Sequence, residues 1–173
     1  MKYRVTKKQN NSDMCFVCGL NNQAGLHTKF YELEHQIILG VFHGENIHQS
    51  YPTRMHGGII TALLDETIGR AIQIIEPNSF GVTYDLNIRF QKPVPLHQIL
   101  YAVGKITEDR KRLFLGEGYL CTSDGQILAT CNAKYFKQDI KDIVSKDNYF
   151  LEEQWIYVDD EIPEFFDLPI WVF

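Results

Sequence analysis

The run Ile59-Ile60-Thr61-Ala62-Leu63-Leu64-Asp65-Glu66-Thr67-Ile68-Gly69-Arg70-Ala71-Ile72-Gln73-Ile74-Ile75 is apolar at helical spacing. It opens after His56-Gly57-Gly58 and stops at Pro77. Its apolar residues go most of the way round, so this helix has to be covered on nearly every side. Nothing else in the 173 residues reads as a long helix. The cover must therefore come from strands.

Strand signals lie on both sides of the helix. Residues 26 to 43 are rich in β-branched and aromatic side chains, with Glu34-His35 as a polar turn, which predicts a hairpin. From Val82 to Gln91 the alternation is strict, with Val82, Tyr84, Leu86, Ile88 and Phe90 on one face and Thr83, Asp85, Asn87, Arg89 and Gln91 on the other. This predicts a half-buried strand, ended by Pro93 and Pro95. The runs Ile99 to Thr107, Leu113 to Thr122 and Gln126 to Phe136 are separated by the charged turn Glu108 to Arg112 and by Ser123-Asp124-Gly125. They predict a meander. The fold class is therefore α+β, an antiparallel sheet wrapped round one long helix.

Charge narrows the partners. Residues 147 to 173 hold eight acids and no Lys or Arg, which leaves a mildly basic body of 17 bases against 14 acids. Such a body suits a small anionic ligand and lacks the dense basic face of a nucleic-acid binder. No apolar run is long enough for a membrane span and the first residues lack a signal-peptide core, so a soluble, cytoplasmic protein is expected. Cys15 and Cys18 stand at a knuckle-like spacing, but Cys121 and Cys131 fall in strand-like runs ten residues apart and do not complete a zinc set. The expectation is four reduced thiols, the first two ordering an N-terminal loop, and no metal.

Two acids interrupt the helix. A carboxylate in a buried helix needs a partner or a use. Asp65 lies on the face of Gly58, Thr61 and Ile72, with Glu66 a quarter-turn away. A structural acid bonded to amides or to Arg70 is one reading. Gly57 and Gly58 supply another, because they leave backbone N–H groups open at the positive end of the helix dipole, where a carbonyl oxygen can sit. A carboxylate two turns on could then attack the carbonyl carbon or activate water. A tight turn or close backbone packing is the plainer use of the glycine pair.

The stretch from Met55 to Glu66 resembles the signature of hot-dog fold acyl-CoA thioesterases, the PaaI-like or 4-hydroxybenzoyl-CoA thioesterase superfamily. Cys15-Phe16-Val17-Cys18-Gly19 followed by Gly25-Leu26 is similar to a preamble of its THEM-like branch, and Val82 to Phe90 resembles the family's third strand. The likeness covers roughly residues 15 to 137. It implies a five- or six-stranded sheet round the helix, two protomers joined edge to edge into a homodimer or homotetramer, and sites at the dimer interface. It further implies that Asp65 is the nucleophile or general base, that the Gly58 amide polarises the thioester carbonyl, and that His56 bonds near that carbonyl. Thr83 would help hold the water and come from the partner chain. Gly57, and Ser50 in the loop before the helix, would contact substrate, while Arg89, Arg110, Lys111 and Arg112 would meet the phosphates of CoA. No cofactor is implied beyond the CoA of the substrate.

The implied activity is hydrolysis of an acyl-CoA thioester. A non-catalytic acyl-CoA-binding module and a hydratase or dehydratase on the same fold are the alternatives. Residues 1–137 are expected to form the hot-dog domain with its Cys-x-x-Cys loop. Residues 138–173 are expected to form an acidic, aromatic arm that docks through Trp155, Phe165, Phe166 and Trp171 with its acids outside, a lid over a ligand site being the alternative.

Overall fold

The computed structural model describes residues 1–143 and 154–168. In chain order its elements are β1 (Lys2–Lys8), β2 (Asn11–Ser12), β3 (Lys29–Leu33), β4 (Ile37–His43), α1 (Gly57–Arg70), α2 (Ile72–Ile75) and β5 (Ser79–Phe90). These are followed by β6 (Ile99–Asp109), β7 (Leu113–Thr122), β8 (Ile127–Asp139), α3 (Ile140–Ile143), β9 (Trp155–Ile156) and β10 (Phe165–Asp167). Among the described residues no helix is long and apolar enough to cross a membrane.

Helix α1 starts where the sequence signals it. His56 is extended and caps the first turn, its Nδ1 accepting from the Gly58 N–H at 2.9 Å. The sheet that covers the helix runs β10-β1-β3-β4-β6-β7-β8-β5. Its last six strands make the expected bun, and β1 and β10 extend it beyond β3, giving eight strands in place of five or six. The meander β6-β7-β8 and the β3–β4 hairpin, turned at Glu34–Gln36, pair antiparallel as read.

The helix presses into a trough made by three glycines on adjacent strands. A Cβ on Gly116 would meet Ile68 Cγ2 at 2.4 Å, one on Gly118 would meet Ile68 Cγ1 at 2.8 Å, and one on Gly104 would lie 3.4 Å from the Ile68 Cα. Backbone meets helix there, and Ile68, Leu64, Leu63, Phe114, Leu120 and Ile38 close a single core between α1 and the sheet. Each such side chain contributes roughly 1.5–3 kcal/mol by leaving water. A second apolar layer, Tyr3, Tyr31, Leu33, Ile37, Leu39, Val103 and Leu168, lies apart from that core and joins β1, β3 and β4 to the arm.

Within the described residues the arm is sewn on at two places. β9 pairs with β2, and β10 pairs with β1. Phe166 packs against Tyr31 and Tyr101 at ring distances of 5.1 and 6.2 Å, and Trp155 against Phe80 at 5.5 Å. Phe165, by contrast, points out and is exposed, because neighbours on a strand face opposite ways. Trp171 lies outside the described residues. The expectation that the arm's acids all stay outside fails at Asp160. This carboxylate accepts from Lys29 at 2.6 Å and from Lys8, whose side chain is 1% exposed and also donates to the Val158 carbonyl at 2.9 Å. A buried ammonium requires an anion, and the arm brings it.

Candidate active site

Asp65 sits in the middle of α1 on the wall of a cavity of about 280 Å³. Gly69, Gly81, Thr83, Tyr135, Phe80 and Trp155 line it, together with Cys15, Cys18, Glu66 and Arg70. The two helix acids have divided the roles. Glu66 takes the structural one, accepting from Arg70 Nε at 2.8 Å across one helical turn. Asp65 has no cation beside it among the described residues. Its Oδ1 accepts from the Thr83 hydroxyl at 2.8 Å, and its main-chain carbonyl accepts from the Tyr135 hydroxyl at 2.9 Å. Burial pushes the Asp65 carboxyl above its usual range, and the Thr83 and Tyr135 hydroxyls hold part of that rise back.

Thr83 corrects two expectations at once. It reaches Asp65 of its own chain, so the partner does not contribute it. Strict alternation would set it on the face opposite Leu86 and Ile88. The strand instead carries a bulge: Thr83 pairs with Tyr135 and Asp85 with Lys134, which leaves Tyr84 as an extra residue. Opposite Tyr135, Ala133 and Cys131, the residues Thr83, Leu86 and Ile88 all face the helix. The bulge turns the hydroxyl inward and throws Tyr84 out, where it is exposed.

At the start of the helix the amides are less open than the sequence suggests. Gly58 N–H is held by His56 Nδ1, so His56 acts first as the helix cap. Neither glycine is required by the chain itself. Neither has positive φ, a Cβ on Gly57 would meet only the Phe90 ring at 3.5 Å, and one on Gly58 only the exposed His56 ring at 3.1 Å. The tight-turn and packing readings of the pair therefore lose their basis. Gly57 and Ser50 line a separate cavity of about 410 Å³ with Tyr51, Arg54, Phe90 and Lys92.

The cations fall into two groups that the structure does not bring together. Arg89 lies exposed on β5 beside Phe90, toward the helix start. Arg110, Lys111 and Arg112 form the exposed β6–β7 turn. Arg110 pairs with Glu108 and lines a cavity of about 430 Å³ with Tyr84, Lys134, Phe136 and Tyr135, the last also walling the Asp65 cavity.

Three features go further than the sequence reading, which names Arg70 only as a partner for a helix acid and Trp155 only as a docking residue of the arm. Tyr135 was signalled by its place in the inward register of β8, after Cys131 and Ala133. Arg70 is buried and fully engaged, donating to Glu66, to Gln9 Oε1 at 3.2 Å, to the Asn10 carbonyl at 3.0 Å and to Cys18 Sγ at 3.0 Å. The rings of Phe30 and Trp155 lie 4.3 and 4.9 Å from its guanidinium. The third is Trp155 itself, an arm residue on the cavity wall, which no local pattern ties to Asp65. All four cysteines are free, and burial pushes Cys121 and Cys131 up to about 12.

Comparison with known proteins agrees with this fold. The thioesterase superfamily model matches residues 53–129. The thioesterase superfamily protein RHA08564 is 26% identical over 70% of this chain and 62% of its own, with a TM-score of 0.63. A Bacillus halodurans protein, BH2602, solved with CoA, is 27% identical over 57% of this chain and 70% of its own, at a TM-score of 0.53. The PaaI protein of the E. coli phenylacetic acid degradation operon shares the fold at 14% identity over 65% of this chain and 80% of its own, with a TM-score of 0.59. An uncharacterized mitochondrial protein of Candida albicans is 30% identical over 103 residues, which is 60% of this chain but only about two fifths, 41%, of that relative's length. The chain is thus a hot-dog fold protein whose residues 53–129 carry the pattern of the thioesterase superfamily.

Proposed function

We propose that the protein is an acyl-CoA thioesterase, releasing a carboxylic acid and CoA with Asp65 as general base or nucleophile. The observation that carries this reading is the Asp65 carboxylate, without a cation beside it among the described residues and held by Thr83 on a cavity wall in a thioesterase-type fold. As a base, the carboxylate takes a proton from water while the water oxygen bonds to the thioester carbon, and the CoA thiolate then leaves. The amides at the start of α1 stabilise the oxyanion, with the carbonyl oxygen replacing His56 as acceptor of the Gly58 N–H.

One chain cannot supply both halves. Asp65 follows Gly58 by seven residues, about 10.5 Å along a helix, whereas groups acting on one carbonyl lie within about 6–7 Å of each other. In our reading the Gly57–Gly58 end of a second copy meets Asp65, which also explains glycines that their own chain does not require. The edge of β5 not paired to β8 has no neighbouring strand among the described residues, and Val82, Tyr84 and Phe90 are exposed along that strand. These features suit an edge-to-edge homodimer. Arg110, Lys111 and Arg112 are assigned to the CoA phosphates, a role supported for Arg110 by the Tyr135 wall that its cavity shares with the Asp65 cavity, and for all three by their place in one exposed turn and by the CoA-bound relative. Ser50, Gly57 and Arg89 would enter the site with the second copy. Free, buried cysteines support a reducing compartment, the cytoplasm in our reading.

A panel of acyl-CoAs assayed for thiol release tests the proposal. Turnover of at least one member by the wild type, lost in Asp65→Asn, supports it. Binding without turnover across the panel, or full turnover by Asp65→Asn, overturns it.

A further inference from the structure

We infer that Cys15, Cys18 and Glu66 bind a zinc ion on the wall of the Asp65 cavity. Cys121 and Cys131 do not supply the donor that the Cys-x-x-Cys pair lacks; helix α1 supplies it as Glu66. The two Sγ atoms and a carboxylate oxygen lie within 4.8 Å of one another. A tetrahedral zinc, with bonds of about 2.3 Å to sulfur and about 2.1 Å to oxygen, places its ligand atoms about 3.6–3.8 Å apart. The Cys15 thiol now donates to Glu66 Oε2 at 2.9 Å, and exchange of that proton for the metal opens the contact by less than an ångström's worth of rotamer adjustment, about 0.7–0.9 Å.

The surroundings are those of a metal knuckle. The turn from Cys15 is closed by the Gly19 N–H to the Cys15 carbonyl at 2.7 Å, and a Cβ on Gly19 would strike that carbonyl at 2.3 Å. Backbone N–H groups point at both sulfurs, Val17 at Cys15 and Ser12 at Cys18, each at 3.4 Å, and the Arg70 guanidinium donates to Cys18 at 3.0 Å. Arg70 also holds Glu66 Oε1, which leaves Oε2 aimed at the cysteines, the arrangement by which a ligating carboxylate is usually oriented. Charge closes too: two thiolates and a carboxylate balance one Arg70 and one divalent ion. Paired sulfurs favour zinc over magnesium or calcium. All three ligands line the cavity, so the fourth position faces it and is open to water or to a bound group. The ion would pin the loop at residues 12–19 to α1 beside Asp65.

Protein purified under reducing conditions without chelator should contain about one zinc per chain. Cobalt put in its place should show thiolate-to-metal charge-transfer bands and the visible bands of a tetrahedral ion. Cys15→Ser should abolish both signals, Glu66→Gln should raise the zinc Kd at least ~10-fold, and Cys121→Ser should change neither. On the wild type alone, chelation should lower Tm and zinc should restore it, so a misfolded variant does not decide the matter. Wild-type protein that holds no zinc or cobalt on reconstitution, or that holds as much after Cys15→Ser, overturns the site.

Discussion

Asp65 and Glu66 are neighbours with opposite fates. Glu66 is neutralised by a buried guanidinium, while Asp65 keeps a carboxylate that burial pushes up and hydroxyls hold in place. Asp65→Asn should therefore lower kcat at least ~10²-fold, the scale of a positioned base. A carboxyl raised in the folded state favours folding below its pKa and disfavours it above, so at neutral pH the same substitution should leave Tm unchanged or higher. A thermal melt beside the assay checks both. In the wild type, kcat/KM should rise with pH through a midpoint above the ordinary carboxylate value of about 4. Thr83→Val removes a hydrogen bond to the charged form and should shift that midpoint further up; a downward shift would contradict the geometry described for Thr83.

Elements differ in how far the sequence discloses them. The start of helix α1 was legible, since His56-Gly57-Gly58 opens it, and Pro77 marks the end of α2, whereas the division between the two at Ala71 carries no sequence signal; the all-round apolarity of the run already demanded a wrapping sheet. The bulge at Tyr84 was not legible, because it conserves composition while reversing the face on which Thr83 stands. β1 was missed because Lys2, Arg4, Lys7 and Lys8 make it read as polar, and its pairing partners lie 23 and more residues away. The glycine trough is a packing fact and can be tested as one. Gly116→Ala drives a methyl against Ile68 and the Lys105 carbonyl and should cost about 1–3 kcal/mol of stability. Gly57→Ala meets only the Phe90 ring and should melt like the wild type while losing activity. Denaturant melts of the two variants separate a glycine needed for packing from one needed for approach.

At the scale of the whole molecule the chain is tied together by its ends and, in the function proposed above, completed by a copy of itself. Asp160 reaches back to Lys8 and Lys29, 152 and 131 residues away, and the Lys29 and Lys8 ammonium groups hold its carboxyl down at about 2. This contribution to stability is present above the unfolded value of about 3.9 and is lost as pH falls toward 2. Asp160→Asn should destabilise the protein by about 2 kcal/mol at neutral pH, less than the 3–5 of a fully buried pair because the Val158 carbonyl still accepts from Lys8. Below pH 4 the variant and the wild type should converge. The central claim is that Asp65 and Thr83 act from one chain and the helix-start glycines from another. It is tested most directly by heterodimers of differently tagged, impaired variants. Asp65→Asn paired with Gly58→Leu should regain thioesterase activity approaching about half that of the wild type, because one of its two sites is intact. Asp65→Asn paired with Thr83→Val should gain nothing over the activity of the Thr83→Val protein itself, because no site then holds both Asp65 and Thr83. Recovery in the second pair, or none in a verified heterodimer of the first, would contradict the account.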